Sequence, residues 1–474
     1  MNRILLSVHK FFPEHRAGTE VLTLKVAQEL QRRGYQVAVL CADPMDVKDV
    51  GDRSLPQANK ELSTYDYDGI QVFSLNEAAR LKNNKFANEH YHPYLKNYYE
   101  QIFTSFAPDL VHCFHLQNLS TSLIEFAKER NIPLIYSATD FWLVCPIVQL
   151  RRPDGVNCEG PSALAANCLT CYTPEILPDQ KEFIGALANK YPEQWHEIEQ
   201  LPKVISNLAS AVAYSTYIAK KLPSAISATV ERPNVMKQFA NKIDAITVPT
   251  KLMQKLFVKN GLDEKIIHHV PYGIDTMPLE KGQNKTASDK LRIAFIGILA
   301  EHKGTDLLIK AFQQLPESAK ASLTLYGDHR QFPDYADYLH KLVDDPAYRS
   351  VKEKITFAGT FPNTQIGEVF SNIDVLVVPS RWYENTPLVI QSALAAKTPI
   401  IAADLGGMSE LVKHELNGLL FEPDNVGSLN QQLKRLLDDQ SLLTKLASNI
   451  QPERTVSDMV DDLESLYKRL PAAI

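Results

Sequence analysis

Short, unbroken apolar runs recur along the chain in two separate sets, and they narrow its fold more than any other feature. ILLSV, QVAVL, GIQVFSL, DLVHCF and PLIYSA form the first set; LRIAFIG, LTLYG, KITFAG, DVLVVP and PIIAA form the second. A strand with one wet face alternates apolar and polar residues, whereas a strand covered on both faces reads as continuously apolar. Helical stretches separate the runs. From Thr19, residues Leu22, Val26, Ala27 and Leu30 share one face, and Gly34 supplies a stop. LSTSLIEFAKER reads as a helix between DLVHCF and PLIYSA, and Leu307, Leu308, Ala311, Phe312 and Leu315 mark another after LRIAFIG. Strand and helix in alternation give an α/β fold of two doubly wound, parallel-sheet lobes.

The first lobe is expected over 1–275 and the second over 291–455, joined by the polar, lysine-rich linker 276–290. A mostly helical or irregular insertion, about 141–244, interrupts the first lobe. Residues 456–474 read as a C-terminal helix that returns to the first lobe. Two such lobes face each other across a cleft at the carboxyl ends of their strands, where open α/β folds bind ligands. The 50 Lys+Arg against 56 Asp+Glu, a net −6, give no support to a nucleic-acid partner. No apolar run approaches the ~20 residues of a membrane helix. The amino terminus lacks the long apolar region and cleavage site of a secretory signal. With six cysteines in the whole chain, a reducing cytoplasm is the expected location.

PSRWYENTPLVIQSALAAKTPII carries the most chemistry. A strand ends at Pro379, a polar loop follows, and Pro387 opens a helix for which Asn385 and Thr386 are suitable caps. Such a helix start offers free N–H groups and a partial positive charge to an anion. Glu384, just before it, can accept hydrogen bonds from a polyhydroxy ligand. On local features alone, an ordinary capped helix after a surface loop is the better reading. No GxGxxG follows the first strand of either lobe, which argues against a dinucleotide dehydrogenase.

Together with RAGTEVLTLKVAQELQRRGYQVAVL, DLVHCFHLQNLSTSLI, VPYGID, FIGILAEHKGTDLLIKAF, LTLYGD and GGMSELVKHELNGLLFEPDN, this segment resembles the retaining glycosyltransferases of family 4, the glycosyl transferases group 1. The resemblance runs in order over nearly the full length. It implies the two-lobed GT-B fold and transfer of a sugar from a nucleotide-sugar donor on the second lobe to a hydroxyl acceptor, with retention at the anomeric carbon. It also implies a carbohydrate or lipid-linked acceptor, work in polysaccharide or glycolipid assembly, peripheral association with the inner face of a membrane, and no cofactor for catalysis. A non-catalytic nucleotide-sugar-binding subunit and a nucleotide-sugar epimerase of the same build are the alternatives.

The resemblance also assigns roles. Glu384 would contact the donor sugar, and His115 would line the acceptor side and hydrogen-bond the transferred sugar. The N–H groups of Leu388 and Val389 would hold the diphosphate beside Asn385 and Thr386. Lys303 would neutralise donor phosphates, Gly18 would let backbone approach the ligand, and Gly327, followed by Asp328, lies where donor contacts occur. Glu384 and Lys303 are both expected to stand exposed in the cleft. Ser392 occupies the place of a ribose-binding glutamate, Ile298 that of an arginine, and Thr139 that of a second histidine. Arg381 or His302 is the expected substitute for the missing positive charge. Asp140 is a candidate acceptor contact, and His112 reads as structural.

Cys145, Cys158, Cys168 and Cys171 form a cluster, with twelve, nine and two residues between successive members. That spacing fits a structural zinc or iron–sulfur site. Disulfides and plain reduced thiols remain the other readings. Cys41 and Cys113 fall within strands and read as core.

Overall fold

The computed structural model describes residues 2–42, 61–76, 85–177, 180–200 and 202–470. The unbroken apolar runs form the strands of two sheets. The first contains β1 (Arg3–Val8), β2 (Gln36–Cys41), β3 (Leu62–Tyr67), β4 (Ile70–Leu75), β5 (Leu110–Cys113), β6 (Leu134–Ser137), β7 (Ala245–Val248) and β8 (Ile267–His269). Their order is β3-β4-β2-β1-β5-β6-β7-β8. The second contains β9 (Leu291–Ile296), β10 (Ala321–Tyr326), β11 (Ile355–Gly359), β12 (Val375–Val378), β13 (Ile400–Ala403) and β14 (Gly418–Phe421), ordered β11-β10-β9-β12-β13-β14.

Among the described residues, β3 and β4 form the one antiparallel pair. β3 (LSTYDY) alternates intermediate and exposed positions, as an edge strand must. Every other ladder is parallel, which explains why the sequence pattern is so plain: helices cover both faces and leave no polar side. Strand order reverses beside β1 in the first sheet and beside β9 in the second, so the carboxyl ends of these strands are where a ligand crevice forms.

The C-terminal helix Val456–Tyr467 packs Met459, Val460 and Leu463 into the same core cluster as Leu6, Val26 and Val39 of the first lobe. Arg33 fixes it from the first lobe, pairing with Asp461 at 2.6 Å and Glu464 at 3.0 Å. The polar segment expected as a linker is docked rather than free. Met277–Gln283 forms a 3-10 helix with Leu279 buried in the second-lobe core, and Lys285 donates to Phe370 O and Thr398 Oγ1. Its lack of helical period reflects a 3-10 turn whose contacts are mostly backbone and lysine stem.

Candidate active site

The second-lobe half of the site is built from the loop between β12 and the helix Leu388–Ala395 and from the turn Glu301–Lys303 after β9. Glu384 is buried (6 % exposed), not open as expected. Its Oε1 accepts from Lys303 Nζ at 2.6 Å and from Ser380 Oγ at 2.7 Å. Burial pushes the carboxyl up, but the Lys303 charge and these two hydrogen bonds outweigh it and hold Glu384 below its ordinary range. Lys303 lies at the end of the turn Glu301–Lys303, 21 % exposed, with its ammonium 5.1 Å from the centre of the Trp382 ring. An ammonium has three N–H donors; Glu384 takes one and the others remain for a ligand.

The expected substitutes for the missing arginine do not act as such. Arg381 is bound on both edges by the protein: Nη1 and Nη2 donate to Asp306 at 2.6 and 3.0 Å, and Nε donates to Asp424 at 2.6 Å. Burial, then nearby Lys303, lowers His302 to about 4, so it carries no charge at neutral pH. Its ring packs on Trp382 instead, centroids 5.0 Å apart. Ile298, at the same turn, is 36 % exposed and offers no charge. Lys303 is therefore the cation this loop offers a phosphate.

The helix start also differs from expectation. Pro387 is itself the cap residue, and no side chain caps the helix. Asn385 instead crosses to the first lobe, its Nδ2 donating to Thr139 O at 2.7 Å. Thr386 Oγ1 and Asn385 Oδ1 are buried without a partner. The N–H groups of Leu388 and Val389 thus keep their donor capacity, as the anion reading requires. Ser392, one turn on, donates its hydroxyl back to Leu388 O at 2.8 Å. Gly407, in GGMSE, receives the same loop: its N–H donates to Glu384 O at 2.8 Å, and a Cβ there would strike the Asn385 carbonyl. Gly327 lies against the Gly297 carbonyl with no room for a side chain, while Asp328 beyond it is paired with Arg330 at 2.8 Å.

Across from this loop, β1, β5 and β6 deliver a buried polar chain. His115 (1 % exposed) accepts the Gln117 N–H on Nδ1 at 2.9 Å, so its ring hydrogen is on Nε2 and is donated to Asp140 Oδ2 at 2.6 Å. Both ring nitrogens are occupied, which leaves none for the sugar contact expected of this histidine. Asp140, 20 % exposed, is the open end of the pair. His112 points away and bridges Tyr467 and Ser137, each at 2.7 Å.

Two members of this chain have no counterpart in the sequence reading. The His9 ring packs on His115 with centroids 4.4 Å apart, and its Nε2 is 3.3 Å from Glu20 Oε1. Burial, then nearby His115, holds His9 well below its ordinary value, while burial raises Glu20. His9 Nδ1 and Glu20 Oε2 are buried without partners. The available signal was positional: both lie just past the carboxyl end of β1, one before and one after the glycine loop. Gly18 begins the helix Gly18–Arg32, and a Cβ on it would meet Leu388 Cδ1 at 3.7 Å, so the first-lobe helix start lies against the second-lobe helix start.

Residues 277–452 match the family model "Glycosyl transferases group 1", and residues 17–176 match "Glycosyl transferase 4-like domain". The chain belongs to the group 1 glycosyltransferases. The second-lobe model contains Lys303, Glu384 and Ser392 of this glycosyltransferase; the other contains Gly18, His115, Asp140 and the four clustered cysteines. It is 32 % identical over 162 residues to an uncharacterized glycosyltransferase of Methanocaldococcus jannaschii, covering 34 % of this chain and 39 % of that one. It is 25 % identical over 204 residues to the alpha-D-kanosaminyltransferase of Streptomyces kanamyceticus, covering 42 % and 47 %. It therefore spans less than two thirds of the length of these curated relatives. Among solved structures, sucrose-phosphate synthase from Thermosynechococcus elongatus superposes with a TM-score of 0.64 at 16 % identity over 99 % of both chains. Anabaena HepE, solved in complex with UDP-glucose, gives 0.62 at 17 % over 99 % and 100 %. The fold of this glycosyltransferase is GT-B. Among the described residues, no helix is long and apolar enough to cross a membrane.

Proposed function

We propose that this chain moves a sugar from a nucleoside-diphosphate sugar to a hydroxyl acceptor, with retention at the anomeric carbon. One observation carries the reading. Lys303, hydrogen-bonded to a buried Glu384, stands on the same loop system as an uncapped helix start at Leu388 and Val389. A departing diphosphate needs a cation and convergent N–H donors, and an oxocarbenium-like sugar needs an anionic acceptor of its hydroxyl hydrogen bonds. The HepE complex with UDP-glucose, on the same fold, supports a nucleotide sugar as donor.

In this scheme the diphosphate lies against Leu388 and Val389 with Lys303 on its flank. Glu384 accepts from sugar hydroxyls and acts as no covalent nucleophile. The leaving phosphate oxygen takes the acceptor proton on the face it departs from, which gives retention without a second carboxylate. On the first lobe, His115 orients Asp140, and Asp140 rather than the imidazole accepts from the acceptor hydroxyl. No metal enters these steps. A carbohydrate or lipid-linked acceptor, polysaccharide or glycolipid assembly, and work at the cytoplasmic face of a membrane complete the proposal.

A non-catalytic binding subunit is the second reading, favoured by one finding: neither Arg381, bound to Asp306, nor the neutral His302 adds a second charge beside Lys303. A thermal-shift screen of nucleotide sugars identifies the donor, since a ligand of the folded state raises Tm. Transfer or slow hydrolysis of that donor establishes the enzyme. Binding with no turnover, or a changed sugar on an intact nucleotide, overturns the transfer reading.

A further inference from the structure

Four cysteines from three places in the first-lobe insertion come together in space. Cys145 closes the loop after β6, Cys158 follows a hairpin with an antiparallel Arg151–Asn157 bridge, and Cys168 and Cys171 lie one turn apart on the helix Ala166–Ile176. All four line one space of about 10 Å³, walled otherwise by groups such as Leu150 and Pro161. All are free thiols.

The surrounding polar groups are aimed at sulfur. Gly160 N–H and Asn167 Nδ2 donate to Cys158 Sγ at 3.4 and 3.3 Å. Backbone N–H groups of Leu150 and Ile147 reach the Cys145 sulfur. Arg232, fully buried, is paired with Glu89 at 2.8 Å and donates to Trp142 O at 2.8 Å. Without metal the thiols donate in turn, Cys158 Sγ to Gly160 O at 3.1 Å and Cys168 Sγ to Asn167 Oδ1 at 3.6 Å, while the Gly160 and Asn167 N–H donors stay available to a metal-bound sulfur.

We infer that Cys145, Cys158, Cys168 and Cys171 bind one zinc ion as four thiolates, and that this ion fixes the hairpin by which the insertion grips the second lobe. Binding breaks four S–H bonds and forms four Zn–S bonds; four protons pass to solvent, and no electron moves. The resulting site carries two negative charges, toward which the Gly160 and Asn167 N–H groups are directed. A space of about 10 Å³ is of the size one ion fills. Among the described residues, no three His, Cys, Asp or Glu side chains already converge on one point. Closure therefore requires sulfur movement, and one step between staggered rotamers carries Sγ by about 3 Å. Four thiolates leave no open coordination position, so the ion is structural. Between Cys145 and Cys158, Arg151 Nη1 and Asn157 Nδ2 both donate to Arg381 O, at 3.0 and 3.1 Å. That carbonyl is three residues before Glu384, so the hairpin holds the segment that carries the site.

The test uses the full chain purified under reducing conditions without chelators, and needs no sugar donor. Elemental analysis is expected to find close to one zinc per chain. Cobalt(II) added to the reduced, metal-stripped protein should give the visible ligand-field and near-ultraviolet sulfur-to-cobalt bands of a tetrahedral all-thiolate site. Cys158→Ser and Cys171→Ser should each weaken metal binding at least tenfold and shift those bands. Should a variant fail to fold, the wild-type cobalt spectrum still decides. Hydrogen exchange across 146–160 should quicken when the metal is stripped. Failure of the reduced protein to bind zinc or cobalt, a spectrum without all-thiolate character, or iron–sulfur absorption would overturn the site. Unchanged exchange across 146–160 would overturn the grip assigned to it.

Discussion

Glu384 is buried and its partner Lys303 half-buried, and that decides how each responds to substitution. Glu384→Gln keeps the shape and a hydrogen-bond acceptor for Lys303 but removes the charge aimed at the sugar. Transfer is expected to fall roughly a hundredfold, with stability nearly unchanged, because an electrostatic contact in a dry site is worth about that much. Lys303→Ala leaves the carboxylate buried without its cation. Its cost is expected in both readouts: lost transfer and about 3 kcal/mol of stability in urea denaturation, since one partner of a buried pair is left uncompensated. Equal stability of the two variants would show that the pair is not held as described. Ser392→Ala tests the next helical turn. Its hydroxyl is satisfied by Leu388 O, so calorimetric affinity for the nucleoside diphosphate selected by the thermal-shift screen should change less than twofold. A tenfold loss would show that the hydroxyl turns to the ribose when nucleotide binds.

At the scale of elements, the two lobes are joined through helix starts as much as through side-chain packing. Both oxygens of Glu410, from the second lobe, accept from Lys251 N and Leu252 N at 2.8 Å, at the start of the first-lobe helix Lys251–Lys259. A carboxylate at a helix start satisfies orphan donors and the positive end of the dipole together. Glu410→Ala should cost about 1 kcal/mol and increase hydrogen exchange at Lys251 and Leu252, which heteronuclear NMR or mass spectrometry reads directly. Unchanged exchange there would remove Glu410 as a latch.

The same contact shows what the sequence could and could not tell. The strands were legible because burial on both faces leaves an unbroken apolar signature; Glu384 stood out beside a local helix start, and Lys303 through the family resemblance alone. The fate of Arg381 was not, since Asp306 and Asp424 are 75 and 43 residues away. The Asp140 partner of His115, 25 residues away, and the buried His9–Glu20 pair were hidden for the same reason: such a partner is fixed by topology, not by spacing. Asn385 had the right chemistry for a cap, but proline followed too late in the loop and the side chain found Thr139 across the cleft.

Across the whole molecule, burial sets how the fold responds to acid. His9, His90, His112, His268 and His302 are all held below the ordinary histidine value of 6.5, burial being the largest cause in each. The direction follows from linkage. Above about pH 6.5 these rings are neutral in both states and their contribution is complete. As pH falls, the unfolded chain takes up protons first, and stability drops until the folded ring also titrates. For His112 the window runs from 6.5 down to about 3, because it is fully buried between Tyr467 and Ser137. Glu453, pushed up to about 7 by burial, acts in the opposite sense: the folded state holds its proton more tightly, so acid favours folding from pH 7 down to about 4.5. The wild-type slope is thus a sum of opposed terms, and a difference between variants isolates one of them. His112→Asn should lower stability at pH 7 by removing the bridge from β5 to the C-terminal helix. Between pH 6.5 and 5 it should lose about 2 kcal/mol less than wild type, at about 1.4 kcal/mol per pH unit for one proton. Urea unfolding at pH 7, 6 and 5 measures both. If the two proteins lose stability in parallel, His112 is not the neutral buried bridge described, and the C-terminal helix is held without it.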